Sequence, residues 1–294
     1  MKYTKKVLQI HGEVSESNTK TERGLAVAKF GVVHYNFKGN FQEFMKFAAE
    51  TGFEYMEIMA QDLWPKDMGF DEAKQHSHGI KVDMDKLGLK VSALAAQNDF
   101  LVADSKEMAL QVERLQQVGE LAKIVDTNIL RVDGGWPKEG VAQEQWMDLM
   151  VEGFKRCRDF IEKEGFLLAL DNHGIVTNDA AVQIALFEAV ESENMGANLD
   201  TMNYRWAGHS LETVNGFYAE IAPYVLHVHM KDGRNSFRDY EGTVLGEGEI
   251  DLKWAVECLQ KVNYQGVWCV EYEGKTTSGE GFRKGLRWLR EHLS

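Results

Sequence analysis

Proline is nearly absent from this chain, at 3 of 294 residues, so long helices would meet few breakers. Cysteine is as scarce. Cys157, Cys258 and Cys269 form no close-spaced pair and are too few for a disulfide framework. They read as reduced, buried thiols, and the expectation is a cytoplasmic protein. No segment approaches the ~18 apolar residues of a membrane span. The start, MKYTKKVLQIHGE, is basic, but its apolar run is too short for a signal peptide. Positive charge is in deficit: 33 Lys and Arg face 46 Asp and Glu, for a net charge of −13. That balance argues against a sequence-independent grip on nucleic acid or an anionic membrane. Low-complexity tracts and evident linkers are missing as well.

What is present is an ordinary globular composition, 44% hydrophobic and 27% charged. The polar first two dozen residues show no core pattern and read as an N-terminal extension over 1–27. From residue 28 onward strand and helix signals alternate. Strands are expected at 28–33, 54–59, 90–96, 128–133, 166–171, 195–200, 225–230 and 266–271. Helices are expected from Asn40 to Gly52, around 79–87, from Ser105 to Ile124, and over 143–164, 178–190, 210–222, 251–262 and 279–293. Eight such units predict a single α/β domain, a (β/α)8 TIM barrel over 28–294. Near-continuous apolar strands suit a parallel sheet covered by helices.

Four strands of the second half end in chemistry-bearing side chains. FLLALDNH ends on Asp171, Asn172 and His173, MGANLD on Asp200, and GVWCVE on Glu271, while VLHVHMKD carries His227 and His229. Asp171, Asp200, His229 and Glu271 are 29, 29 and 42 residues apart in turn. One β/α unit fills about 30 residues, so the same point of successive units recurs. Such residues converge at the C-terminal mouth of the barrel. Three carboxylates and one imidazole suit a divalent cation with positions left open for substrate. Oxygen-rich ligation favours Mn2+, with Mg2+, Co2+, Fe2+ or Zn2+ as alternatives.

His227 and His229 are two residues apart and point to one face of their strand. His229, nearer the end, takes the metal, and His227 reads as a hydrogen-bonded core residue. Lys231 points the same way and would meet a substrate oxygen or a carboxylate; an ion pair with Asp232 is the equal alternative. Glu57 reads as an interior partner of Arg131. Asn98, Trp136, Asn203, Arg234 and Arg238 complete the candidate substrate contacts. GEGEI, at 246–250, has glycines but no P-loop Lys-Ser/Thr, so a nucleotide reading is weak.

The stretches LALDNHG, NLDTMNY, HVHMKD with LGEGEID, and WCVEYEG together resemble the sugar isomerase/epimerase superfamily of xylose isomerase-like barrels. The resemblance implies one metal held by a strand-5 carboxylate, a strand-6 Asp, a strand-7 His and a strand-8 Glu. These fall on Asp171, Asp200, His229 and Glu271. Many members carry Glu where this chain has the shorter Asp171. Either the metal sits closer to strand 5, or Asp171 binds weakly and His173 helps. The activity implied is isomerisation or epimerisation of a ketose or keto-sugar. Glu271 is the expected base and Asp171 or His173 the second acid/base, acting through a metal-stabilised enediolate. The alternative is a lyase that eliminates the aglycone of a 3-keto-glycoside after the same proton abstraction. Abasic-site endonucleases of this superfamily need histidines that Glu57, the alanines ending strand 3, and Asn203 do not supply. A small-molecule sugar is the expected partner, with no nucleic acid and no membrane. The family also carries an expectation of a homo-oligomer.

Overall fold

Short apolar runs build the strands, and capped amphipathic helices return the chain between them. The computed structural model describes residues 28–293; the expected extension at 1–27 lies outside the described residues. Eight parallel strands form a closed barrel: β1 (Lys29–Val33), β2 (Tyr55–Met59), β3 (Lys90–Ala95), β4 (Ile129–Val132), β5 (Leu167–Asp171), β6 (Met195–Asp200), β7 (Val225–Met230) and β8 (Val267–Val270). Each pairs with its sequence neighbours, and β8 closes on β1 with Val32 opposite Val270. The predicted (β/α)8 barrel is therefore the fold. No described helix is long and apolar enough to cross a membrane.

Helix α1 (Phe41–Thr51) shows how local sequence sets the boundaries. The Asn40 side chain accepts the Glu43 amide, and the Glu43 carboxylate accepts the Asn40 amide in return. This reciprocal pair satisfies two N–H groups that the first turn cannot. Gly52 ends the helix at φ +91°, a conformation that costs glycine nothing. Phe44, Met45, Phe47 and Ala48 form its buried face.

The remaining long helices are α3 (Phe70–Lys86), α4 (Ser105–Ile124), α5 (Trp146–Glu164), α6 (Ala180–Val190), α8 (Leu211–Ile221), α9 (Leu252–Lys261) and α10 (Glu280–Leu293). Two single turns, α2 (Ala60–Leu63) and α7 (Asn203–Trp206), follow β2 and β6. Helix α3 is twice as long as the expected 79–87 segment. Its buried positions are Ala73, Ser77, Ile80 and Met84, spaced as a helix requires, but the first two are too small to mark an apolar stripe. An antiparallel ribbon, Asp232–Arg234 with Glu241–Thr243, rises after β7 and was not expected.

Candidate metal centre and active-site cleft

Asp200 ends β6, His229 lies one residue from the end of β7, and Glu271 follows β8 directly. Their ligand atoms all lie within 4.8 Å of one another. His229 Nδ1 is 2.8 Å from Glu271 Oε2 and 3.9 Å from Asp200 Oδ2. Ligands on ~2.1 Å metal bonds are ~3.0–3.4 Å apart, so these spacings bracket those of a coordinated divalent ion. Asp200 Oδ2 and His229 Nδ1 are buried and make no well-directed hydrogen bond in the protein, although Lys231 Nζ stands 3.4 Å from the first and Glu271 Oε2 2.8 Å from the second. Buried polar atoms are seldom left so. Asp200 Oδ1, by contrast, accepts the amides of Met202 and Asn203 at 2.8 and 2.9 Å, which aims Oδ2 inward. Two carboxylates and an imidazole, with orphaned donor atoms converging, fit a divalent metal ion.

A second carboxylate orients the imidazole. Glu57 Oε2 lies 2.5 Å from His229 Nε2, and Glu57 Oε1 accepts from Arg131 Nε at 2.8 Å. A carboxylate behind a histidine fixes its tautomer and leaves the other nitrogen for a metal. Burial opposes ionisation of Glu57, but His229 and Arg131 outweigh it and hold the pKa at about 2. Burial likewise opposes a charge on His229, while Glu57 and Glu271 push its pKa well up. Glu271 is held well below the carboxylate range: burial works against this, and Lys231 and His229 prevail. Asp200 goes the other way, raised to about 7 by burial, with Lys231 offsetting part and Glu271 and Asp171 adding to it.

Asp171 lies apart from this cluster. Its Oδ2 accepts Arg131 Nη1 at 2.8 Å, and its Oδ1 is buried without a partner. The structure thus brings three of the four residues singled out by spacing together and turns the fourth, with its short side chain, to a guanidinium. Arg131 also meets Asp133 at 3.2 Å. The interior pair of Glu57 and Arg131 is present, as one edge of a larger network.

Lys231 points into the same space. Its Nζ lies 3.1 Å from Glu273 Oε1, 3.2 Å from Glu271 Oε1, 3.4 Å from Asp200 Oδ2 and 3.2 Å from Asn203 Oδ1. The alternative pair with Asp232 does not form, because Asp232 serves the backbone. Its carboxylate accepts the amides of Gly233, Gly246, Gly248 and Ile250. A Cβ on Gly248 would stand 1.9 Å from Asp232 Oδ1, so only glycine admits this approach. The GEGEI segment is accordingly a loop pinned by Asp232.

A cavity of about 330 Å3 opens over these groups, lined by Glu57, Arg131, Asp133, Asp171, His229, Glu271 and Glu273, with Tyr35 and Trp136 at the wall. A second cavity of about 360 Å3 shares Tyr35, His173 and Glu273 with it and reaches Asn203, Trp206, Lys231 and Tyr240. His173 is exposed and meets the Trp136 ring edge to face at 5.1 Å. Asn98 lines the first cavity, but its amide is engaged: it donates to the Asp133 carbonyl and accepts the Asp133 amide. Asn203 lines the second, its Nδ2 buried without a partner.

Arg234 and Arg238 are exposed and line neither cavity. Arg234 donates to the Glu247 carbonyl and Arg238 lies over the Phe237 ring, so the ribbon turns both outward. Sequence reasoning missed Asp133, Tyr240 and Trp206. Asp133 follows Arg131 by two residues and so shares its face of β4, a signal that the sequence did carry. Nothing in the pattern marked the other two.

A closed parallel barrel with carboxylates and an imidazole at the C-terminal strand ends defines a class of metal-site TIM barrels. Residues 45–292 match the family described as xylose isomerase-like TIM barrel, and the chain belongs to it. An inosose dehydratase from Geobacillus thermodenitrificans is 27% identical over 164 residues, covering 49% of this chain and 53% of the relative. D-psicose 3-epimerase from Clostridium cellulolyticum, solved with D-tagatose, superposes with a TM-score of 0.73 at 16% identity, over 90% of this chain and 99% of that one. The IolI protein, solved with a zinc atom, gives 0.73 at 18% identity, over 90% and 98%. The two solved structures share the barrel fold with this chain.

Proposed function

We propose that this protein is a divalent-metal-dependent isomerase or epimerase of a ketose or keto-sugar. The observation that carries the reading is the convergence of Asp200, His229 and Glu271, with orphaned donor atoms, beneath a cleft that Asp171 enters from another strand. A divalent ion held by those three residues would polarise a carbonyl and an adjacent hydroxyl and acidify the carbon-bound proton between them.

The chain's own groups do the rest. Glu271 is the carboxylate placed to receive that proton; Lys231 and His229 keep it ionised but also lower its basicity, so the acidification of the carbon-bound proton must carry more of the step. Asp171 stands on β5, three strands around the ring from β8, so it approaches a bound ketone from a different side. Its Oδ2 is held by Arg131 and its Oδ1 is free to move a proton. Return of the proton on the opposite face inverts the centre, and His173 at the mouth would exchange protons with solvent. Trp136 and Tyr35 give apolar surface for the sugar carbons. Mn2+ suits the oxygen-rich set best, and Zn2+ suits it as well.

Elimination is the second reading, favoured by the similarity to an inosose dehydratase. It begins with the same proton abstraction and then expels water or an aglycone. Incubation in D2O with Mn2+, followed by NMR, on free ketoses, inososes and 3-keto-glycosides tests both. Deuterium gained beside the carbonyl with a new sugar as product is expected. Loss of water or an aglycone would move the assignment to elimination. The absence of exchange across the panel, with metal bound, would contradict the proposed chemistry.

A further inference from the structure

Besides His229, which a metal would hold neutral, two cationic side chains face the cleft, and each is already enclosed by three carboxylates. Arg131 meets Glu57 at 2.8 Å, Asp171 at 2.8 Å and Asp133 at 3.2 Å. Lys231 meets Glu273 at 3.1 Å, Glu271 at 3.2 Å and Asp200 at 3.4 Å. No other lysine or arginine lines either cavity among the described residues. Lys138, two residues beyond Trp136 in the chain, is bound to Asp99 at 2.6 Å. The two exposed arginines of the ribbon turn away from the cleft.

Adding a divalent ion does not reverse this balance. It would cancel Asp200 and Glu271 and leave Glu57, Asp133, Asp171 and Glu273 against Arg131 and Lys231. A phosphate or carboxylate on the substrate would enter a site of its own sign, with no cation able to turn to it without abandoning buried carboxylates. Sites that recognise phosphate present free Arg, Lys or helix N-termini instead. Hydroxyl groups face no such barrier, since carboxylates accept from them directly.

We infer that the substrate is an uncharged polyhydroxy ketone, and that sugar phosphates and keto acids are excluded by the carboxylate-saturated cleft. The inference rests on the proposed function and narrows it to one substrate class.

Isothermal titration of D-fructose, an inosose and D-fructose 6-phosphate into the full chain, Mn2+-loaded and chelated, tests it. Roughly 100-fold weaker binding of the phosphate ester than of D-fructose is expected, as for a like-charge contact. The Glu273→Gln variant, which removes one carboxylate from Lys231, should narrow that ratio, and circular dichroism will report whether it folds. A phosphate ester that binds as tightly as the free ketose, or tighter, would overturn this inference and leave the proposed function standing. Failure of all three ligands to bind the loaded protein would overturn both together.

Discussion

The barrel interior holds two polar layers made from the same kinds of residue. In the lower layer His227 Nδ1 bonds Asn198 Oδ1 at 2.8 Å and its Nε2 bonds Ser92 Oγ at 3.2 Å, with Cys269 alongside. In the upper layer Asp200, His229, Asp171 and Asn203 each leave a buried atom without a well-directed hydrogen bond. The lower layer is closed on itself and serves the fold, although Asn198 Nδ2 is an exception. The upper layer is incomplete and opens to a cleft. A histidine in a barrel strand does not announce which it is; the difference lies in whether its neighbours use up its hydrogen-bonding capacity. Glu57 joins the layers, since it touches Arg131, His229 and, at 3.4 Å, His227.

The two layers should respond most strongly to a substitution at that junction. Arg131→Met would leave Asp171 buried and Asp133 half-buried without their counterion, and Glu57 with the histidines alone. A loss of about 3–5 kcal/mol in urea denaturation is expected. A loss below about 1 kcal/mol would show that Arg131 does not hold the layers together.

The lower layer should also respond to acid. Burial depresses the His227 pKa from 6.5 to about 4, so the folded protein keeps it neutral while the unfolded chain takes up a proton below 6.5. Its contribution is therefore complete above pH 6.5 and is lost as pH falls toward 4. That shift corresponds to about 3 kcal/mol. Chelated protein carrying His227→Gln should show a flatter stability profile across this window than the wild type. Identical slopes would show that His227 does not govern the acid response.

Substitution in the upper layer should separate stability from metal binding. Asp200→Asn can still accept the Met202 and Asn203 amides but offers a poor ligand. Thermal unfolding of chelated protein is expected to change by under about 1 kcal/mol, while Mn2+ affinity falls by ~10²-fold or more. Equal losses in both would mean that the upper layer is structural too.

The smallest effects belong to the ribbon. Arg234→Ala and Arg238→Ala should each alter stability by no more than about 0.5 kcal/mol. A marked rise in KM would return them to the substrate contacts expected from the sequence.

Much of the second half of the barrel was legible in the sequence. The bounds of β6 and β7 coincide with the expected strands, because each is a mostly apolar stretch that stops where polar residues begin, at Asp200 in one and before Lys231 in the other. Strand ends recur at the period of a β/α unit, and this is why Asp200, His229 and Glu271 stood out together. What was not legible depends on reach. Arg131 spans from β4 to β2 on one side and β5 on the other, and no spacing encodes which carboxylates a long side chain will take. The choice of Lys231 between Asp232 and the cleft was settled by four backbone amides that bind Asp232. The ribbon's three-residue strands were too short for an alternation signal.

Asp200, His229 and Glu271 are proposed to form a site for one divalent ion. Its most direct measurement is metal content and Mn2+ affinity of the wild type and of His229→Ala, by elemental analysis and titration, with circular dichroism confirming the fold. One tightly bound ion per chain is expected in the wild type, and its loss in a folded variant. Undiminished metal in folded His229→Ala would contradict it.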